Sequence, residues 1–194
     1  MEPLIQEARS GETRLFFLDA AHFVYGAFQG YLWSFDRVFV KTGSGRQRFN
    51  VLGAYDPINQ ELVTVENEDV VNSKTICKIL HKLRYKCGLG RISIVLDNAK
   101  YQHCDLVRIR AKKLGIELIF LPAYSPNLNL IERYWKYVKK TCLNSKYHSD
   151  FKTFKNSVVD CLRQTNISIE VKATLSSLLT LNFQNFKKSQ IQAA

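Results

Sequence analysis

Three acidic residues stand where a folded sheet would gather them. Asp19 ends the apolar run Leu15-Phe16-Phe17-Leu18, and Asp97 ends Ile92-Ser93-Ile94-Val95-Leu96. Glu132 opens an amphipathic segment soon after the run Ile116 to Leu121. Strand ends and helix starts share one edge of a mixed sheet, so these carboxylates are expected to converge in one exposed pocket. Converging carboxylates repel one another unless a cation holds them, and an all-oxygen ligand set favours Mg²⁺ or Mn²⁺. Two such ions about 3.5–4 Å apart can activate an attacking oxygen and stabilise a leaving one in phosphoryl transfer. Each acid also has a plainer reading. Asp19 and Asp97 suit turns or caps, and Glu132, three residues after Asn129, fits a capping box. Their joint placement at three element ends is what favours a metal site.

The elements that must position them follow from the apolar pattern. Arg14 to Asp19 reads as a buried strand with Asp19 at its terminus, and the chain turns around Gly43 to Arg46. Arg48 to Tyr55 and Glu61 to Val65 flank Asp56-Pro57-Ile58-Asn59, a hairpin signal. Ile76, Ile79, Leu80 and Leu83 recur at helical spacing from Ser73 to Lys86, with Gly88 as the stop. Arg91 to Leu96 is a second buried strand. A helix over Asp105 to Leu114, stopped by Gly115, leads into the strand Ile116 to Leu121. This alternation predicts an α/β domain with a parallel layer. Asn129 begins a helix with the apolar stripe Leu130, Ile131, Tyr134, Trp135 and Val138, where Trp135 reads as core packing. Beyond Asn144 further helix is expected around Phe151 to Leu162 and again near Val171 to Leu181. The domain division is 1–145 for the catalytic fold and 146–194 for a basic helical extension.

Composition narrows the partners. The 194 residues include 28 Lys+Arg against 17 Asp+Glu, a formal charge of +11, and 46% are hydrophobic. That describes a folded, basic protein suited to a polyanion, with nucleic acid ahead of an anionic lipid surface. Residues 133–194 carry 11 basic and 3 acidic side chains, so most of the excess lies there. Arg133, Lys136, Lys139 and Lys140 are candidate phosphate contacts, because they follow Glu132 within a few helical turns. Their plainer role is a solvated helix face. The N-terminus lacks a secretion signal, and Leu15 to Trp33 is too interrupted by polar residues to span a membrane. A cytoplasmic protein is expected, associated with the nucleoid when it binds DNA. The five cysteines form no C-x-x-C pair and read as free thiols. His103 reads as a surface or hydrogen-bonded structural residue, and Tyr124-Ser125-Pro126 as the loop that sets entry into the Glu132 helix.

Leu121 to Trp135, LPAYSPNLNLIERYW, resembles the loop before the catalytic glutamate in the bacterial insertion-sequence branch of the mariner superfamily of transposases. Leu96-Asp97-Asn98-Ala99 followed by His103 resembles that family's second-aspartate motif, and 34 residues separate Asp97 from Glu132. The resemblance runs from about Arg14 to Lys140. It implies a ribonuclease H-like mixed sheet flanked by helices, with Asp19, Asp97 and Glu132 as the catalytic triad binding Mg²⁺ or Mn²⁺, two ions in all. It further implies DNA strand cleavage and transfer during cut-and-paste transposition, on transposon ends and a thymine-adenine target. Two positions depart from the family pattern: Ala20 replaces a second acid after Asp19, and Leu130 replaces a proline before Ile131-Glu132. Neither removes a triad member. The family's end-reading helix-turn-helix modules find no room before Asp19, so a separate N-terminal polypeptide and a homodimer are the expected partners. Origin as a split-gene product, a decayed copy or a fragment stays open. Two other functions stay open as well. A ribonuclease H or similar nuclease is disfavoured because Ser73 to Lys86 holds no acid, and a non-catalytic DNA-binding remnant is disfavoured by the intact triad.

Overall fold

The computed structural model describes residues 1–26, 35–36, 47–122 and 128–183. The expected turn at Gly43 to Arg46 and the loop residues Tyr124, Ser125 and Pro126 lie outside them. Strands β1 (Thr13–Val24), β2 (Arg48–Asp56), β3 (Glu61–Asn67), β4 (Arg91–Leu96) and β5 (Ile116–Phe120) form one sheet in the order β3-β2-β1-β4-β5. β1 pairs antiparallel with β2 and parallel with β4. The β2–β3 hairpin is antiparallel and β4–β5 parallel. The mixed sheet thus places Arg14 to Asp19 beside Arg91 to Leu96, as expected.

β1 is central because its pattern is apolar on both faces. Leu15, Phe17, Ala21 and Phe23 enter one core, and Phe16 and Leu18 enter the other. By this alternation Asp19 occupies an inward position of the first face. It is not at a strand terminus, contrary to expectation. β1 continues to Val24 because β2 keeps pairing with it, from Ala20 opposite Leu52 to Val24 opposite Arg48.

Six helices flank the sheet among the described residues: α1 (Glu2–Arg9), α2 (Ser73–Cys87), α3 (Asp105–Lys113), α4 (Leu130–Cys142), α5 (Phe151–Ile167) and α6 (Ile169–Leu178). None is long and apolar enough to cross a membrane. α2 and α3 cover the Phe16/Leu18 face through Ile76, Ile79, Leu80, Leu83, Val107 and Ala111. α2 starts in a capping box between Asn72 and Thr75 and stops at Gly88, whose φ of 61° suits a residue without a Cβ. The opposite face takes α1, α4, α5 and α6. Phe154, Val158, Leu162, Leu175 and Leu179, from beyond residue 145, share that core with the α4 stripe. α1 had no counterpart in the sequence reading, since it contributes only Ile5 and Ala8 as buried residues.

Two edges of the fold are closed by polar side chains. At the β2–β3 turn, fully buried Asp56 accepts from Arg14 Nε at 2.6 Å, from the backbone of Ile58 and Asn59, and from Asn59 Nδ2. On outer strand β3, Asn166 of α5 accepts from Leu62 N at 2.8 Å and donates to Leu62 O at 2.9 Å. The amide thereby takes the place of a further strand.

α4 lies unusually close to the sheet. A Cβ placed on Gly53 of β2 would stand 2.7 Å from the Trp135 indole and 3.3 Å from Ile131 Cδ1. Gly53 is therefore what lets the helix settle over Asp19, its cross-strand partner. Gly53→Ala should lower stability by about 1–3 kcal/mol through overpacking. Adding Trp135→Leu should restore part of that loss, since the indole is what the methyl meets. Strictly additive losses in thermal unfolding would show that the two positions do not oppose each other.

Candidate active site

The parallel register pairs Leu18 with Leu96. The next residue on each chain is an aspartate, so Asp19 and Asp97 emerge side by side on strands about 4.8 Å apart. β4 ends at this point while β1 runs on, which leaves a step at the sheet edge with Asp97 just beyond its strand. Leu121 N donates to Leu96 O and carries β5 to the same edge.

α4 supplies the third acid. Asn129 is its N-cap by backbone conformation, and Glu132 N donates to Asn129 O at 3.2 Å. The capping-box reading is not what the side chains do. Asn129 makes no side-chain cap bond; its Nδ2 donates instead to Leu18 O at 3.3 Å and to Asp97 Oδ1 at 3.1 Å. One buried amide thus ties β1, the Asp97 loop and the start of α4 together. The helix is seated by Tyr134, which stacks on Tyr55 and shares a hydrogen bond with Thr165 Oγ1 at 2.9 Å.

The electrostatics join all three acids. Asp19 is largely enclosed, and its carboxyl is pushed up to about 7. Burial is the main cause; the Ala20 N–H opposes it, while the charges of Asp97 and Glu132 add to it. The nearby Trp135 indole also favours the ionised form, although its buried Nε1 falls short of a formed hydrogen bond. Glu132 is likewise raised, by burial and then by Asp97, with Lys136 opposing. Tyr101, in the loop after β4, is raised by burial and feels Asp19 and Asp97 as well. Asp19 and Glu132 thus each feel the charge of Asp97. Among the described residues, however, no three His, Cys, Asp or Glu side chains are drawn close enough to hold an ion unaided. Asp19 itself is more enclosed than an exposed site requires.

An all-oxygen set fits a hard divalent cation. The buried Asn129 Oδ1, without a hydrogen-bond partner among the described residues, adds an oxygen beside Asp97. Of the candidate phosphate contacts, Lys136, Lys139 and Lys140 are exposed. Arg133 departs from expectation: it is half-buried, donates to Thr180 O at 3.1 Å and lies over the Phe183 ring, so it holds the segment after α6. Sequence reasoning missed the Asn129 bridge, the approach of Trp135 to Asp19, and Tyr101. Asn129 carried a signal, since a polar residue there was read as a cap; Tyr101 carried none.

Residues 14–155 match the DDE superfamily endonuclease family. The chain belongs to the DDE superfamily endonucleases. Its fold agrees: the Mos1 mariner transposase in a paired end complex with Mn aligns with a TM-score of 0.59 at 14% identity. That alignment covers 96% of this chain and 61% of the Mos1 chain, so this chain spans less than two thirds of that protein. The isolated Mos1 catalytic domain aligns over 96% of this chain and 91% of its own, with TM-score 0.56 and 14% identity. A simian T-cell lymphotropic virus intasome chain gives TM-score 0.57 at 13% identity, over 90% of this chain and 58% of that one. At these identities the likeness establishes the ribonuclease H-like fold. No curated protein matches the sequence.

Crowding around Asp19 in this DDE endonuclease has a measurable consequence. Its folded value of about 7 exceeds the ordinary 3.8, so between those pH values the folded state keeps a proton that the unfolded chain has released. The stability from this group is complete below about pH 4 and is lost as pH rises to about 7, by on the order of a few kcal/mol. In metal-free buffer, Asp19→Asn should therefore gain on wild type as pH rises through this window. Parallel unfolding profiles for the two proteins from pH 4 to 8 would place Asp19 in solvent.

Proposed function

We propose that this chain is the catalytic domain of a DNA transposase of the bacterial insertion-sequence branch of the mariner superfamily, cleaving DNA and joining the freed 3′ hydroxyl to target DNA. The observation that carries this reading is the register of Leu18 with Leu96, which brings Asp19 and Asp97 abreast beneath the α4 start that bears Glu132. Family membership supports it. So do the Mos1 relatives of the same fold, whose structures include a paired end complex with Mn, a strand transfer complex, and catalytic domains with Mn or Mg.

Asp19, Asp97 and Glu132 would hold Mg²⁺ or Mn²⁺, two ions in all; when bound, the metal activates the attacking oxygen and stabilises the leaving one. Asn129 keeps Asp97 turned to the site and fixes the distance from β1 to α4. Exposed Lys136, Lys139 and Lys140 present positive charge along α4 to the DNA backbone. Recognition of transposon ends falls to a helix-turn-helix segment on a separate polypeptide, and the catalytic domain acts as a homodimer on DNA in the bacterial cytoplasm.

Glu132→Gln is the deciding substitution. Asn129 and Glu132 form no capping box, so glutamine should leave unfolding without metal nearly unchanged. It removes an anionic ligand, and Mg²⁺- or Mn²⁺-dependent nicking should fall by about a hundredfold or more, as when one transition-state contact is lost. Equal nicking by wild type and variant would end the triad assignment. The 194-residue chain should also bind transposon-end and scrambled duplexes with similar affinity and steep salt dependence. Strong discrimination between them would locate base reading within this chain.

A further inference from the structure

The end of β5 carries a stacked group that the triad does not use. Register pairs Leu96 with Phe120, so Phe120 belongs to the row of Leu18 and Leu96, one residue short of the two aspartates, and packs against the core under α2 and α3. His103 lies flat on the Phe120 ring, with centroids 3.7 Å apart and planes at 21°. Arg108 of α3 donates from Nη2 to His103 Nδ1 at 2.9 Å, and its guanidinium lies over the same ring, 6.0 Å from the centroid. Because Nδ1 accepts from Arg108, the ring N–H is at Nε2, which is buried and has no partner among the described residues. Leaving such a donor unmatched costs stability, so folding alone does not account for this arrangement.

Arg108 is exposed, and among the described residues it forms no ion pair. Its planar head is pre-oriented by the ring and the imidazole, which lowers the entropy lost on gripping an anion. Arg110, Lys112 and Lys113 in the last turn of α3 extend the positive charge away from the triad.

We propose that Arg108, braced on His103 and Phe120, is a binding site for a DNA backbone phosphate away from the one to be cleaved. This rests on the transposase reading above, and it assigns the strand a path across the β5 edge as well as along α4. The site takes a phosphodiester and reads no base.

The test is binding of a fluorescein-labelled duplex of mixed sequence to the full chain in EDTA, across a salt series. Arg108→Gln should weaken binding about fivefold, the scale of one exposed charge contact. It should also reduce the slope of log K against log salt by about 0.9, the signature of one lost phosphate contact. Phe120→Leu keeps the charge, so it should keep the wild-type slope while weakening binding. A merely structural Arg108 would lower the melting temperature and leave the slope intact, and an unchanged slope overturns the proposal. If the glutamine variant unfolds, Arg108→Lys decides: a wild-type slope with weaker binding supports the braced guanidinium, and wild-type affinity overturns it. Glu132→Gln serves only as the nicking control. Its nicking tests the transposase reading separately, since binding in EDTA needs no catalysis.

Discussion

Two carboxylates on adjacent parallel strands cannot avoid each other. Once Leu18 is in register with Leu96, Asp19 inside β1 and Asp97 just beyond the end of β4 stand abreast, and the hydrogen-bonded backbone gives Asp19 no room to retreat. In water such a pair would cost little. Here Asp19 is enclosed by Trp135 and the α4 stripe, and the repulsion is felt at low dielectric. The remainder of this edge holds that unfavourable pair in place. Asn129 gives one hydrogen bond to Asp97 and shares its other contact with Leu18 O, which prevents the Asp97 loop from swinging outward.

Keeping a third acid nearby requires α4 to approach the sheet closely, and small residues make that approach feasible. Gly53 clears space for the Trp135 indole, and Ala21, two residues after Asp19 on the same face, keeps that face low. Larger anchors then fix the helix from behind. Tyr134 reaches past the sheet residue Tyr55 to Thr165 of α5, so the segment after residue 145 steadies the glutamate's helix while it closes the core. Arg133 serves the same end through Thr180 and Phe183, which explains why a cation beside Glu132 is turned toward the protein.

Much of this was legible from residue order. β4 runs from Arg91 to Leu96 as its apolar pattern predicts, α2 and α3 begin at Ser73 and Asp105 as expected, and the Asp56 turn is the hairpin. Those elements are periodic and end at clear punctuation. The second half of β1 was illegible because Ala20-Ala21-His22 breaks the apolar run, and its strand conformation depends on pairing with β2. The candidate triad was visible in sequence because Asp19 and Asp97 follow apolar runs and family motifs surround Asp97 and Glu132. Its support was not. Asn129 has one obvious local role, capping, and the tertiary contact with Leu18 O and Asp97 prevails over it. A glycine at position 53 gives no hint in sequence that an indole from position 135 will occupy its empty side.

Comparison of two enclosed aspartates separates structural acidity from functional acidity in this fold. Asp56 is fully buried at one end of the sheet and receives Arg14, two backbone N–H groups and the Asn59 amide, so its charge is matched in place. Asp19, near the other end, is surrounded by two further acids and by donors that barely reach it. Among the described residues, the buried side-chain atoms without partners are Gln102 Oε1, His103 Nε2, Asn129 Oδ1 and Trp135 Nε1. All four belong to the loop after β4 or to the first turns of α4, the segments that frame Asp97 and Glu132. A fold that satisfies Asp56 so fully can evidently satisfy polar groups. Among the described residues, the repulsion at Asp19 and these unmatched atoms therefore gather at one edge of the sheet, the edge on which the proposed site lies.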